Sequence, residues 1–127
     1  MHQDPCKRPV VLIVEDEMLV RIGTSETVEA AGFEVVEAAN ADEAMAILAA
    51  RDDVGLVFTD VNMPGSMDGL ELTHLVRDRW PPVKVVATSG HARIAEGDLP
   101  EGGRFLHKPY TDAEITATLR ELAQEPG

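Results

Sequence analysis

The chain has 127 residues, 44% of them hydrophobic and 27% charged, a composition suited to one globular domain. Its 23 acidic residues outnumber 11 basic ones, and no Lys/Arg cluster is present to meet a phosphate backbone, which argues against direct nucleic-acid binding. No apolar run approaches the roughly 20 residues that span a bilayer, the N-terminus lacks the apolar core of a secretory signal, and the single cysteine, Cys6, fits a reducing, cytoplasmic setting.

Residues 1–8 read as a flexible segment ahead of one domain over 9–124, with a short tail over 125–127. Strand-like runs alternate with helical patterns, the signature of βα units and a mostly parallel sheet. Val10 to Val14 is continuously apolar, as a strand covered on both faces must be. Met18, Leu19, Ile22, Val28 and Ala31 form a helical stripe, with Gly32 placed to end it. Glu34 to Ala38 is a short second strand. Asn40 and Glu43 have capping-box spacing ahead of a helix from Ala44 to Ala50.

Leu56 to Thr59 is the third strand, followed by a Gly/Pro loop to Gly69. A third helix, Leu70 to Arg79, stops at Pro81-Pro82, with Trp80 capping it. Lys84 to Thr88 is the fourth strand. The glycine-rich stretch from Ser89 to Gly103 leaves room only for a short or irregular fourth helix. Arg104 to His107 is the fifth strand, and Thr111 with Glu114 is a second capping box opening the last helix. Five strands and about five helices joined by right-handed crossovers make a three-layer α/β sandwich.

Chemistry gathers at strand ends. Glu15-Asp16, Asp60, Thr88-Ser89 and Lys108-Pro109 follow the first, third, fourth and fifth strands, and ligands in open α/β sheets collect outside those carboxyl ends. Carboxylates held together repel strongly, so either a pKa rises or a cation binds. An oxygen-only donor set favours a hard ion such as Mg²⁺, with Mn²⁺ the alternative, and disfavours Zn²⁺. An Asp carboxylate can also attack phosphorus. Phosphatase chemistry on an outside substrate fits poorly: Asn62 stands where haloacid-dehalogenase-type enzymes carry a second acid, and no P-loop or Gly-x-Ser-x-Gly elbow is present.

This ordered set, with Asp60-Val-Asn-Met-Pro-Gly-Ser-Met-Asp-Gly69 its most specific piece, resembles the receiver domain of two-component response regulators from about Val10 to Leu122. The resemblance implies a flavodoxin-like parallel sheet of strand order 2-1-3-4-5 and a cis Lys108–Pro109 bond. It makes Asp60 the phosphoacceptor and Asp16 a direct Mg²⁺ ligand. Glu15, where the family usually has Asp, acts at or through a metal-bound water, and Asn62 offers its backbone carbonyl. Lys108 pairs with phosphoryl oxygens. Ser89 is the switch hydroxyl, with Thr88 the alternative, and Phe105 is the switch aromatic. Asn62 and His91 occupy positions that tune phosphoryl lifetime.

The resemblance further implies a phosphodonor, either a sensor histidine kinase or a histidine phosphotransfer protein, and signalling by protein contact. No catalysis is expected beyond the domain's own phosphorylation and dephosphorylation. The alternatives are a receiver fragment of a hybrid kinase or larger regulator, and an interaction module that ignores phosphorylation. Two departures from the family stand out: an extra residue, Ser66, in the loop after Pro64, and the shortened segment between Ser89 and Lys108. Met18 and Leu19 serve either the core or a docking face for the phosphodonor. His74 and His107 read as surface or packing residues.

Overall fold

The computed structural model describes residues 10–61, 68–90, 99–100 and 102–124. Outside them lie the expectations placed on 1–8, Asn62, Ser66, His91, most of the fourth-helix stretch and 125–127. The elements run β1 (Val10–Val14), α1 (Met18–Ala30), β2 (Glu34–Ala38), α2 (Ala41–Ala50), β3 (Val54–Asp60), α3 (Gly69–Arg79), β4 (Lys84–Ser89), β5 (Arg104–His107) and α4 (Asp112–Gln124). Five parallel strands form one sheet in the order β2-β1-β3-β4-β5, as the resemblance implied.

Alternating side chains of β1 build two cores. Val10, Leu12 and Val14 meet Ala44 and Leu48 of α2 and Leu72 and Val76 of α3. Val11 and Ile13 meet Val28 of α1 and Ile115, Leu119 and Leu122 of α4. The sheet is therefore sandwiched between two helix layers, which explains why β1 carries no polar residue. The ladder between β1 and β3 pairs Val10 with Val54 but Val11 with Leu56, skipping Gly55. That slip sends Val54 to one core and Leu56 to the other.

Local chemistry sets the helix ends. α1 closes with Gly32 at φ 104°, its amide reaching the Glu29 carbonyl at 2.9 Å and the Phe33 amide reaching that of Val28 at 3.3 Å. Asn40 accepts from the Glu43 amide at 2.8 Å, but α2 starts at Ala41, earlier than read, and the Glu43 carboxylate accepts from Ala39 rather than Asn40. Thr111 and Glu114 cap α4 reciprocally, at 3.1 and 2.9 Å. A second reciprocal capping box, Asp68 with Glu71, opens α3 one residue ahead of the predicted start. β3 and β4 are also longer than read, through Asp60 and Ser89.

Candidate functional site

The alternation that builds the α1/α4 core carries on past the strand ends. Glu15 lies two residues beyond Ile13, Asp60 two beyond Phe58 and Lys108 two beyond Leu106, and all three of those apolar residues belong to that core. The strand tips thus deliver two acids and one base to the same rim of the sheet. Asp16, exposed in the turn after β1, completes the set. Glu15, Asp16 and Asp60 each offer a carboxylate oxygen, and these oxygens all lie within 4.8 Å of one another. The Lys108 ammonium donates to Asp60 Oδ2 at 3.1 Å.

Backbone bonds hold these tips. The Glu15 amide donates to the Ala38 carbonyl at 3.0 Å, Val61 to Thr88 at 2.9 Å and Lys108 to Ser89 at 2.9 Å. The loop after β3 returns tightly, with the Gly69 amide donating to the Val61 carbonyl at 2.9 Å. A Cβ at Gly69 would overlap the Asp60 carbonyl, so glycine is the residue that fits there. The Lys108–Pro109 peptide is cis, as the resemblance implied.

Charge is unevenly buried. Glu15 is buried while Asp16 is exposed. Burial, reinforced by a hydrogen bond with Asp16 and the charge of Asp60, pushes the Glu15 carboxyl up to about 7, against the pull of the Glu17 amide and Lys108. Burial pulls the Lys108 ammonium down, but its hydrogen bond to Asp60 and the charges of Asp60 and Glu15 outweigh this and raise it. Three crowded carboxylates with oxygen donors only fit a hard divalent cation.

The two candidate hydroxyls separate by face. Thr88 pairs with Asp60 in the ladder, and it joins Thr24 of α1 in drawing the Tyr110 phenol down. Ser89 follows Ala87 on the other face, where Ala87 pairs and packs with half-buried Phe105. The Phe105 ring lies edge-on to His107 at 5.4 Å. Asn62 and His91 lie outside the described residues.

Two contributors have no mark in the sequence reading. Tyr110 meets Phe58 edge-on at 6.2 Å, and burial raises its phenol despite the Thr24 and Thr88 hydrogen bonds. Arg21 of α1 donates to the Glu15 carbonyl at 2.7 Å and to Glu37 at 3.1 Å. Both residues act through partners outside their own element, which periodicity does not reveal.

A five-stranded parallel sheet with an acidic triad facing a lysine at its carboxyl edge defines a receiver-type α/β domain. The model of the response regulator receiver domain matches residues 11–120, and the chain belongs to that family. Over 119 residues the chain is 35% identical to the sensor kinase CckA of Brucella abortus, covering 91% of this chain and 12% of that protein. It is 37% identical over 122 residues to the response regulator FleR of Pseudomonas aeruginosa, covering 92% of this chain and 25% of FleR. Among solved structures, the receiver domain of the hybrid histidine kinase CckA superposes with a TM-score of 0.77 at 31% identity, covering 91% of this chain and 99% of that one. The receiver domain of NtrX from Brucella abortus gives 0.83 at 29%, with the same coverage. No helix among the described residues is long and apolar enough to cross a membrane.

Proposed function

We propose that this domain takes a phosphoryl group onto Asp60 from a phosphohistidine of a sensor kinase or phosphotransfer protein, in the cytoplasm, and signals through protein contact. The observation that carries this reading is the 3.1 Å pair between Lys108 and Asp60 beside the oxygens of Glu15 and Asp16. An Asp60 oxygen attacks phosphorus, the P–N bond to the donor imidazole breaks, and the imidazole leaves with its electron pair and takes up a proton. Glu15, Asp16, Asp60 and the Asn62 carbonyl would hold Mg²⁺, or Mn²⁺ in its place, which neutralises charge on the carboxylates and the incoming phosphoryl oxygens.

Lys108 holds Asp60 in place beforehand and then pairs with a phosphoryl oxygen. Ser89 turns its hydroxyl to the new acceptor oxygens, and Phe105, on the same face of the sheet, follows it. Thr88, which pairs with Asp60 in the ladder, is the alternative hydroxyl. Asn62 and His91 would tune how long the phosphoryl group survives. No outside substrate is turned over.

The phosphodonor would dock on the first turns of α1, where Met18, Leu19 and Ile22 are 60%, 79% and 42% exposed beside the acidic rim. A cleft of about 600 Å³ between α1 and α4, lined by Leu19, Thr24, Tyr110 and Ile115, continues that surface. A second setting, a receiver module inside a hybrid kinase or larger regulator, is supported by CckA and FleR, of which the matched segments are 12% and 25%.

Acetyl phosphate with Mg²⁺ tests the reading by intact mass. Wild type gains one phosphoryl group and Asp60→Asn gains none. An unmodified wild type would favour an interaction module that ignores phosphorylation.

A further inference from the structure

The Glu15 peptide is gripped from two sides. Its amide donates to the Ala38 carbonyl of β2 at 3.0 Å, the last rung beyond the β1–β2 ladder. Its carbonyl accepts from Arg21 Nη1 at 2.7 Å. The same guanidinium reaches across to β2, where Nε donates to Glu37 Oε1 at 3.1 Å, and its side chain is only 17% exposed. One planar fork therefore ties α1 and β2 to the turn that carries Glu15 and Asp16.

Among the described residues, the start of α1 adds little order to that turn. Glu17 is the N-cap of α1 but makes no side-chain capping bond, and the first turn of α1 holds no acidic residue. The Glu17 amide instead donates to the Glu15 carboxylate at 3.1 Å, so a shift of the Glu15 peptide disturbs a carboxylate oxygen as well. Arg21 spends its charge on Glu37, while its bond to Glu15 is to a neutral carbonyl.

We propose that Arg21 is a positioning residue for the acidic turn: by fixing the Glu15 carbonyl against β2 it sets the spacing of Glu15 and Asp16 that cation binding requires. The inference rests on the reading that Glu15, Asp16 and Asp60 hold Mg²⁺. Its sign separates it from simple electrostatics. A cation this close to the triad opposes a second cation, so loss of charge alone would tighten Mg²⁺ binding. Loss of positioning weakens it. Lysine keeps the charge but lacks the rigid fork that serves two acceptors at once.

The test is calorimetric Mg²⁺ titration of the full chain alongside amide hydrogen exchange of the metal-free protein. Arg21→Ala and Arg21→Lys are expected to weaken Mg²⁺ about tenfold, a typical size for residues that orient metal ligands. Exchange at the Glu15 and Glu17 amides should quicken, while Val57 in the middle of β3 is unchanged. Glu37→Gln retains an acceptor oxygen and should stay nearer wild type. Arg21→Ala binding Mg²⁺ as tightly as wild type or tighter, with unaltered exchange, overturns the proposal; if that variant does not fold, Arg21→Lys decides by the same two readouts. A wild type that binds no Mg²⁺ sinks the metal reading, and the exchange measurement then judges the role of Arg21 in ordering the turn.

Discussion

At the scale of single residues, Lys108 faces two demands. Its ammonium offsets the Asp60 carboxylate, and it also repels any cation entering beside that acid. Lys108→Ala should therefore leave Mg²⁺ binding intact or stronger, since Glu15, Asp16 and Asp60 are all retained. Phosphorylation would lose its effect further along the chain. NMR shifts of Ser89 and Phe105 on treatment with acetyl phosphate and Mg²⁺ check this: wild-type shifts in the variant would remove Lys108 from the transmission step. The acids and the lysine were legible in the sequence because each closes an apolar run, and a parallel sheet brings such ends to one rim. Arg21 and Tyr110 were not legible. Their partners are a backbone carbonyl and hydroxyls on other elements, and only the folded chain selects them.

At the scale of elements, α3 is anchored at both ends of its N-terminal turn. Asp68 accepts from the Glu71 amide at 2.8 Å, Glu71 accepts from the Asp68 amide at 3.3 Å, and Gly69 lies against the Asp60 carbonyl. Asp68→Ala should cost about 1 kcal/mol, the usual loss for a helix cap. For a domain of this size that lowers Tm by roughly 4 °C, with Asp68→Ser restoring most of it. Gly69→Ala should be worse, because backbone overlap exceeds the gain of about 1 kcal/mol that alanine normally brings to a helix. Thermal unfolding of the variants checks both, and a stabilised Gly69→Ala would contradict the tight return of this loop. The caps at Asn40 and Thr111 are legible in the sequence but Asp68 is not, since a glycine at the first helical position reads as loop. The start of β3 at Val54 is hidden as well, because Gly55 breaks the apolar run where the register slips.

At the scale of the whole molecule, the buried acid makes stability depend on pH. The Glu15 carboxyl titrates near 7 in the folded chain against an ordinary 4.5, so the native state holds the proton more tightly than the unfolded state. Its contribution is complete below about 4.5 and is lost as pH rises through about 7. The metal-free protein should therefore lose Tm across that window, and Glu15→Gln should flatten the slope. Mg²⁺ competes with that proton, so the Tm gained from Mg²⁺ should grow with pH over the same range. Unfolding scans in chelator and in excess Mg²⁺ measure both effects; a metal-free Tm that climbs steadily from pH 5 to 7 would refute this account. Net charge of −12 adds repulsion in the same direction as acids ionise. The position of β5 at the outer margin of the sheet has one more consequence. During synthesis Glu15, Asp16 and Asp60 leave the ribosome well before Lys108, 48 residues beyond Asp60. A nascent intermediate closed only through β3 would hold its anions without the Lys108 counter-charge, which arrives only once β5 joins the sheet.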